Sequence, residues 1–331
     1  MQAFQYESPK NGLQLRKIPI PEPGSGSVQI RVKAAGLCHS DCHVLRGMDG
    51  VLGKKPITLG HEVAGIITAI GPNVVGYRPG DRVAVSLLAH PLNLEPRGWG
   101  MAIGLGFDGG YAEYAVAPSS RLLRIPDVVS FSQAAVATDA MATAYHAVVI
   151  EAGACPGATV GIIGIGGLGM QGLGFAALKG AAVYGIDIVD SKFTHAKRLG
   201  ARGCFRSLEE AGGVVFDAIV DFVGAQETTR SALERVKEGG KVVLVGLAEE
   251  NVTISNSNLI TRSINLVGSM GGSEADLKDV LELISKKEIE PELEEIPFAD
   301  IPAGLDALEK GKVQGRLWAD PSRLSKSLSQ L

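Results

Sequence analysis

The sequence predicts an α/β protein in which a doubly wound parallel sheet is joined to a second, β-rich domain. Three observations carry this expectation. From about residue 156 to 270, apolar runs of the buried-strand kind alternate with helical segments. The first ~125 residues read instead as short strands broken at close intervals by Gly, Pro and Asp. The length, 331 residues, suits two domains at roughly 100–200 residues each. We place the β-rich domain at 1–140 and 270–331, and the parallel-sheet domain at 141–269.

In chain order, Val28, Ile30, Val32 and Ala34 alternate with polar neighbours, the period-2 pattern of a half-buried strand. Residues 61–70, closed by Gly71-Pro72-Asn73, and residues 81–85 read as further strands. Residues 158–164 form a continuous apolar run typical of a buried parallel strand, and the next strand is 181–187. Helices are predicted over 167–179 and 191–199, and further strands at 216–223, 241–246 and 264–268. Leu277, Val280, Leu281 and Ile284 mark one amphipathic helix in the tail, after which strand-like pieces could rejoin the first domain.

Composition narrows the function classes. The net charge is −4 and the basic residues are scattered, which excludes a nucleic-acid partner on electrostatic grounds. No apolar run reaches the ~18–20 residues of a membrane span. Glycine, at 43 residues, is about twice its usual ~7% share and implies many turns and close backbone approaches. The chain opens directly into structure, so its four cysteines (Cys38, Cys42, Cys155 and Cys204) read as free thiols in a reducing compartment. Cytoplasm is the expected location. The terminal Ser329-Gln-Leu331 is a minor, peroxisome-like variant with Gln where a basic residue belongs.

Gly164-Ile-Gly166-Gly-Leu-Gly169 fits G-x-G-x-x-G and follows a predicted buried strand directly. The first glycine permits the tight turn, the second lets backbone approach a pyrophosphate, and the third allows close helix–strand packing. The helix that begins there points unpaired N–H groups and a positive dipole end at phosphate. Asp187 ends the next strand 23 residues after Gly164, placed to bind ribose hydroxyls and to repel a 2′-phosphate. The expected cofactor is therefore NAD, on a Rossmann domain. Its candidate contacts are Gly164, Gly166, Gly167, Leu168, Gly169, Asp187 and Lys192.

Cys38-His-Ser-Asp-Cys-His43 packs metal-competent residues into one stretch, and Gly60-His-Glu62 follows shortly after. Thiolate and imidazole are preferred zinc ligands, and a catalytic zinc needs three protein ligands with one position open. A single Cys is usually a small buried hydrophobe. A cluster of polar side chains at the end of an apolar strand is costlier to bury without a purpose.

These segments, with Gly80-Asp-Arg-Val83, Gly109-Gly-Tyr-Ala-Glu-Tyr-Ala115 and the glycine fingerprint, occur in an order and spacing that resemble the zinc-containing alcohol dehydrogenases of the medium-chain dehydrogenase/reductase family. The resemblance covers essentially the whole chain and implies a GroES-like β-rich catalytic domain. It further implies that Cys38 and His61 bind a catalytic zinc and that Glu62 sits beside the metal as a transient ligand. Asp41 would accept a hydrogen bond from His61. Ser40 would meet the substrate oxygen, and His43 would end a proton relay running through the nicotinamide ribose.

Two departures matter. The family's third ligand is commonly a Cys shortly before a Thr-x-Tyr segment; counted back from Thr143-Ala-Tyr145, that position is Asp139. A carboxylate can bind zinc at about the distance of a His nitrogen. The alternative for Asp139 is a helix N-cap. Cys42 could face the metal only if its segment is helical, and reads as a buried thiol. Residues 86–110 contain none of the four cysteines that hold a structural zinc in many relatives, so one Zn²⁺ per chain is expected and His90 is a loop residue.

The implied reaction is reversible hydride transfer between NAD(H) and a small alcohol, aldehyde or ketone, with the metal as Lewis acid. The alternatives are a zinc-free quinone or enoyl reductase on the same scaffold and a non-catalytic NAD(H)-binding protein. The substrate pocket is expected to draw on the 86–110 loop with Trp99, and on Met141 and residues 270–272. A homodimer or homotetramer is expected, with strand 264–268 as the pairing edge.

Overall fold

The computed structural model describes residues 1–87 and 102–326; Trp99 and His90 lie outside the described residues. The chain divides into two compact units, one of residues 1–139 with 272–331 and one of residues 140–271.

The first unit is built on a seven-stranded sheet. Its order runs Leu293–Glu295, Arg316–Ala319, Ser27–Gly36, Glu62–Ile70, Arg82–Val85 and Leu122–Arg124, while Tyr114–Pro118 pairs with the first half of Ser27–Gly36. Strand Ser27–Gly36 sits centrally because its alternate residues Val28, Ile30, Val32 and Ala34 are all fully buried, as their period-2 spacing predicts. A three-stranded sheet of Leu13–Lys17, Gln2–Tyr6 and Ile57–Thr58 completes this unit's strands among the described residues. The tail does return to the first unit. Trp318 registers with Gly36 in an antiparallel pair, and Gly36 on its other side registers with Glu62. Three distant segments thus meet at the end of one strand.

The second unit is a six-stranded parallel sheet in the order Gly203–Phe205, Ala182–Ile186, Thr159–Ile163, Phe216–Asp221, Val236–Leu244 and Asn265–Gly268. Both faces are covered, which explains the near-continuous apolar runs. Val160 and Ile162 pack into one buried cluster with Leu173 and Val183, while Ile163 and Ile186 pack into another with Phe216 and Leu233. Helix Gly167–Leu178 follows the first strand as expected. Most boundaries shift by one or two residues, and two elements differ further from expectation. The strand predicted at 241–246 begins at Val236 and bridges Glu238-Gly-Gly240 as an irregular start, its register shifting between Phe216 and Ala218. The helix predicted over 191–199 is a 3₁₀ turn, Asp190–Lys192, leading into a short α-helix, Phe193–Arg198. Among the described residues no helix is long and apolar enough to cross a membrane.

Candidate active site

The cluster of the first unit is assembled at the sheet end where Gly36 stops. Cys38 takes the N-cap position of helix His39–Leu45 in an extended conformation, and Asp41, in that helix's first turn, accepts a hydrogen bond from the Cys38 amide at 3.2 Å. His61 precedes strand Glu62–Ile70 and is 1% exposed. Asp139 lies in a single π-helical turn, Ala137–Met141, and not at a helix N-cap; the cap of the preceding helix, Phe131–Val136, is Ser130, whose Oγ accepts from the Gln133 amide. Such turns re-aim a side chain by adding one residue to the helical repeat.

Cys38, His61 and Asp139, all buried, each offer a ligand atom within 4.8 Å of the others, the one such group among the described residues. Asp139 Oδ2 lies 3.3 Å from both Cys38 Sγ and His61 Nε2. Ligands at about 2.0–2.3 Å from a tetrahedral zinc stand roughly 3.3–3.8 Å apart, so the donor set fits that ion. The second nitrogen, His61 Nδ1, faces Asp41 Oδ1 at 3.4 Å, which leaves Nε2 as the atom turned toward Cys38 and Asp139. Burial opposes a charge on His61, but Asp41, Cys38 and Asp139 outweigh it and hold its pKa well above the ordinary range. A buried pocket that draws positive charge this strongly is electrostatically suited to a cation.

Glu62, expected beside the metal as a transient ligand, is fully buried next to the three and paired with Arg316. Both its oxygens accept from Arg316: Nε donates to Oε2 at 3.2 Å and Nη2 donates to Oε1. Burial raises the Glu62 carboxyl while the Arg316 guanidinium opposes that rise. The pairing has a steric basis: a Cβ on Gly36 would fall 1.8 Å from Glu62 Oε2, so only glycine there lets the carboxylate pass to Arg316. Arg316 Nη2 also stands 3.6 Å from Asp139 Oδ2. Sequence reasoning missed Arg316. The signal available was a lone guanidinium opening the apolar strand Arg316–Ala319, directly after Gly315, whose φ is +71°.

Ser40 Oγ is 3.7 Å from Cys38 Sγ, and His43 is half-buried on the same helix. Burial and the nearby Arg46 lower the His43 pKa, against a smaller pull from Glu309. Cys42 is helical yet does not face the cluster. Its Sγ lies 3.4 Å from the Leu305 carbonyl, and burial pushes its pKa up to about 12, the behaviour of an inert buried thiol. Tyr111, from the Gly109–Ala115 motif, donates to Asp41 Oδ2 at 2.8 Å, and burial keeps its hydroxyl protonated.

In the second unit Gly164 has φ +78°, the left-handed turn that the fingerprint requires, and its amide donates to the Ile186 carbonyl at 2.8 Å. Gly166 caps helix Gly167–Leu178 and is exposed, with no atom within 4 Å of where a Cβ would stand. Gly169 is the opposite case: a Cβ there would fall 2.0 Å from the Gly164 carbonyl oxygen. Leu168 is half-buried on the helix's first turn. Asp187 accepts from the Val189 amide at 2.9 Å and from Lys192 Nζ at 2.8 Å. A cavity of about 370 Å³ opens beside it, lined by Gly164, Asp187, Ile188, Arg206, Val223 and Thr228. Met141, expected to line the substrate pocket, is fully buried.

Comparison with known proteins decides the family. Residues 24–127 match the alcohol dehydrogenase GroES-like domain and residues 165–286 the zinc-binding dehydrogenase domain. The chain belongs to the alcohol dehydrogenases of the medium-chain dehydrogenase/reductase family. It is 32% identical over 336 residues to an alcohol dehydrogenase of Geobacillus stearothermophilus, covering 96% of this chain and 98% of that one. Its fold is similar to acetophenone reductase from Geotrichum candidum in complex with NAD, with TM-score 0.89, 32% identity and 98% of each chain covered. It is also similar to the cobalt- and zinc-bound thermostable alcohol dehydrogenase from Pyrobaculum aerophilum, with TM-score 0.87, 30% identity and 97% and 99% of the chains covered. These relatives support the alcohol dehydrogenase reading over a quinone or enoyl reductase and over a non-catalytic NAD-binding protein.

Proposed function

We propose that this chain catalyses reversible, NAD-linked interconversion of a small alcohol and its aldehyde or ketone, using one Zn²⁺ per chain held by Cys38, His61 and Asp139. The observation that carries the reading is the buried Cys–His–carboxylate triad with Asp41 behind its imidazole. Bound there, zinc supplies Lewis-acid polarisation of the substrate oxygen. The remaining work falls to the chain's own groups. Ser40 Oγ, adjoining Cys38, takes the hydroxyl proton as it gives up its own, and His43, kept neutral by its lowered pKa, accepts the proton so released and passes it to solvent. The amides at the start of helix Gly167–Leu178 bind the cofactor pyrophosphate, with Gly166 leaving room for it. Asp187, steadied by Lys192, accepts from the ribose hydroxyls. Glu62 and Arg316 fix the strand ends that carry the ligands.

The partner reading is a second copy of the chain. Strand Asn265–Gly268 is one of the two outer strands of the parallel sheet and is half-exposed, the kind of edge that a homodimer or tetramer covers. The location reading is cytoplasmic, on the support of four free cysteines. Metal analysis of purified protein with an alcohol and carbonyl panel tests the function. About one zinc per chain with NAD⁺-dependent alcohol oxidation is expected. No zinc, with NADPH-dependent reduction of quinones or conjugated C=C bonds, would overturn it.

A further inference from the structure

We propose that Tyr111 is a positioning residue for the metal centre: its hydroxyl locks Asp41 in the orientation that presents the second carboxylate oxygen to His61. The proposal rests on the zinc reading above and extends it one residue outward from the ligands.

The geometry is specific to the hydroxyl. Tyr111 Oη donates at 2.8 Å to Asp41 Oδ2 and stands 3.3 Å from the Gly36 carbonyl. A phenol has one proton, and the shorter contact to the charged acceptor takes it. Oδ2 also accepts the Cys38 amide at 3.2 Å. With two donors on Oδ2, Oδ1 is left facing His61 Nδ1 at 3.4 Å, and neither of those two atoms has a closer hydrogen-bond partner. Remove the hydroxyl and only the Cys38 amide holds the carboxylate, which is then free to turn about its last torsion. Asp41 and Tyr111 are completely buried and His61 nearly so, so no solvent substitutes for the lost donor.

The ring itself is immobilised by the segment that leads into His61. The Tyr111 amide donates to the Leu59 carbonyl at 3.0 Å, and its own carbonyl accepts from the Phe4 amide at 2.8 Å. Gly60, at φ +90°, leaves room for the ring: a Cβ there would meet Tyr111 Cδ1 at 2.5 Å. The glycine before His61 and the tyrosine of the Gly109–Ala115 segment are therefore two halves of one contact. Packing alone would be served by phenylalanine. The hydroxyl adds only the bond to Asp41, and so acts on whatever Asp41 controls, the tautomer and orientation of His61.

The test uses the zinc-loaded full chain and Tyr111→Phe. Zinc transfer to a chromogenic chelator is timed, and the thiolate-to-metal absorption of the cobalt-substituted protein is recorded. Outer partners of metal ligands typically contribute 10–100-fold to metal affinity, and for a residue one step further out we expect release about tenfold faster. The cobalt spectrum should change, and the metal-free variant should unfold at a lower temperature, because a buried carboxylate has lost a donor. In an Asp41→Asn background the Tyr111→Phe effect should vanish, since the two act in series. Wild-type release from Tyr111→Phe, or the same acceleration in the Asp41→Asn background, overturns the proposal while leaving the zinc reading intact. A wild-type chain that holds no zinc at all sinks both. A second measurement needs no truncation: with 3-fluorotyrosine at 111, the ¹⁹F resonance should move on zinc loading, and an unmoved resonance refutes the coupling.

Discussion

The second and third glycines of the fingerprint make opposite predictions, and the contrast tests the cofactor site separately from the fold. In Gly166→Ala the new methyl enters open space, and the backbone at φ −85°, ψ −152° suits alanine. The loss of glycine at an N-cap costs about 0.5 kcal/mol, a Tm change of about 1–2 °C. The methyl occupies the approach of the pyrophosphate to the helix amides. Pushing the phosphates back by ~1 Å forfeits on the order of 2–3 kcal/mol of charge-assisted hydrogen bonding, or about 30–150-fold in NADH affinity. In Gly169→Ala the methyl falls 2.0 Å from the Gly164 oxygen, backbone against backbone, with no flexible side chain to yield. The helix must retreat from the strand, at about 1–3 kcal/mol of overpacking and roughly 2–8 °C in Tm. NADH fluorescence titration and thermal unfolding read both variants, with zinc content as a control that neither should move. Gly166→Ala binding NADH as wild type, or Gly169→Ala with unchanged Tm and affinity, would refute the assignment of these glycines.

Further outcomes follow from the other residues. Asp139→Ala should retain less than about a tenth of its zinc after dialysis, and Asp139→Cys should restore it, because the site needs a third anionic or neutral donor; undiminished zinc in the alanine variant disproves the ligand assignment. Asp187→Ala should narrow the preference for NAD over NADP by about tenfold or more in kcat/KM. Unit charges ~4 Å apart repel by about 1–4 kcal/mol at effective dielectrics of 80 to 20, and Lys192 is released toward the added phosphate. His43→Ala should lower kcat by about 10²-fold. Because the His43 pKa is lowered in the folded protein, the activity and stability that depend on its neutral form are present above pH 6.5 and decline as the pH falls through the lowered value. A variant that keeps the wild-type acid limb of the pH–rate profile would show that another group sets it.

What was legible in the sequence is what is encoded over short stretches. Strand Thr159–Ile163, the glycine turn and helix Gly167–Leu178 occupy some twenty consecutive residues, and each has its own periodicity, so strand–turn–helix needed no tertiary information. Cys38 and His61 announced themselves in the same way, because a thiol and an imidazole placed at the ends of apolar strands have few bland uses. Asp139 was implied by the family resemblance, but the turn that carries it was not, since a π-turn in Ala-Thr-Asp-Ala-Met has no compositional mark. Tyr111 and Arg316 lie 70 and 254 residues from the carboxylates they hold, and nothing in their own neighbourhoods points to Asp41 or Glu62.

Their trace lies instead in missing side chains. Gly36 is bare because Glu62 passes through the space its Cβ would fill on the way to Arg316, and Gly60 is bare because the Tyr111 ring fills that space. A glycine in the left-handed region has a conformational reason to be glycine, and Gly60 has that as well. Gly36 has none: it ends a regular strand, where glycine weakens pairing and packing. At Gly36 the missing side chain is therefore the mark of a long-range contact. Replacing the glycine should disturb the partner more than the strand. Gly36→Ala would then break the Glu62–Arg316 pair and leave a buried guanidinium 3.6 Å from Asp139, while the pairing of Ser27–Gly36 with its neighbours persists.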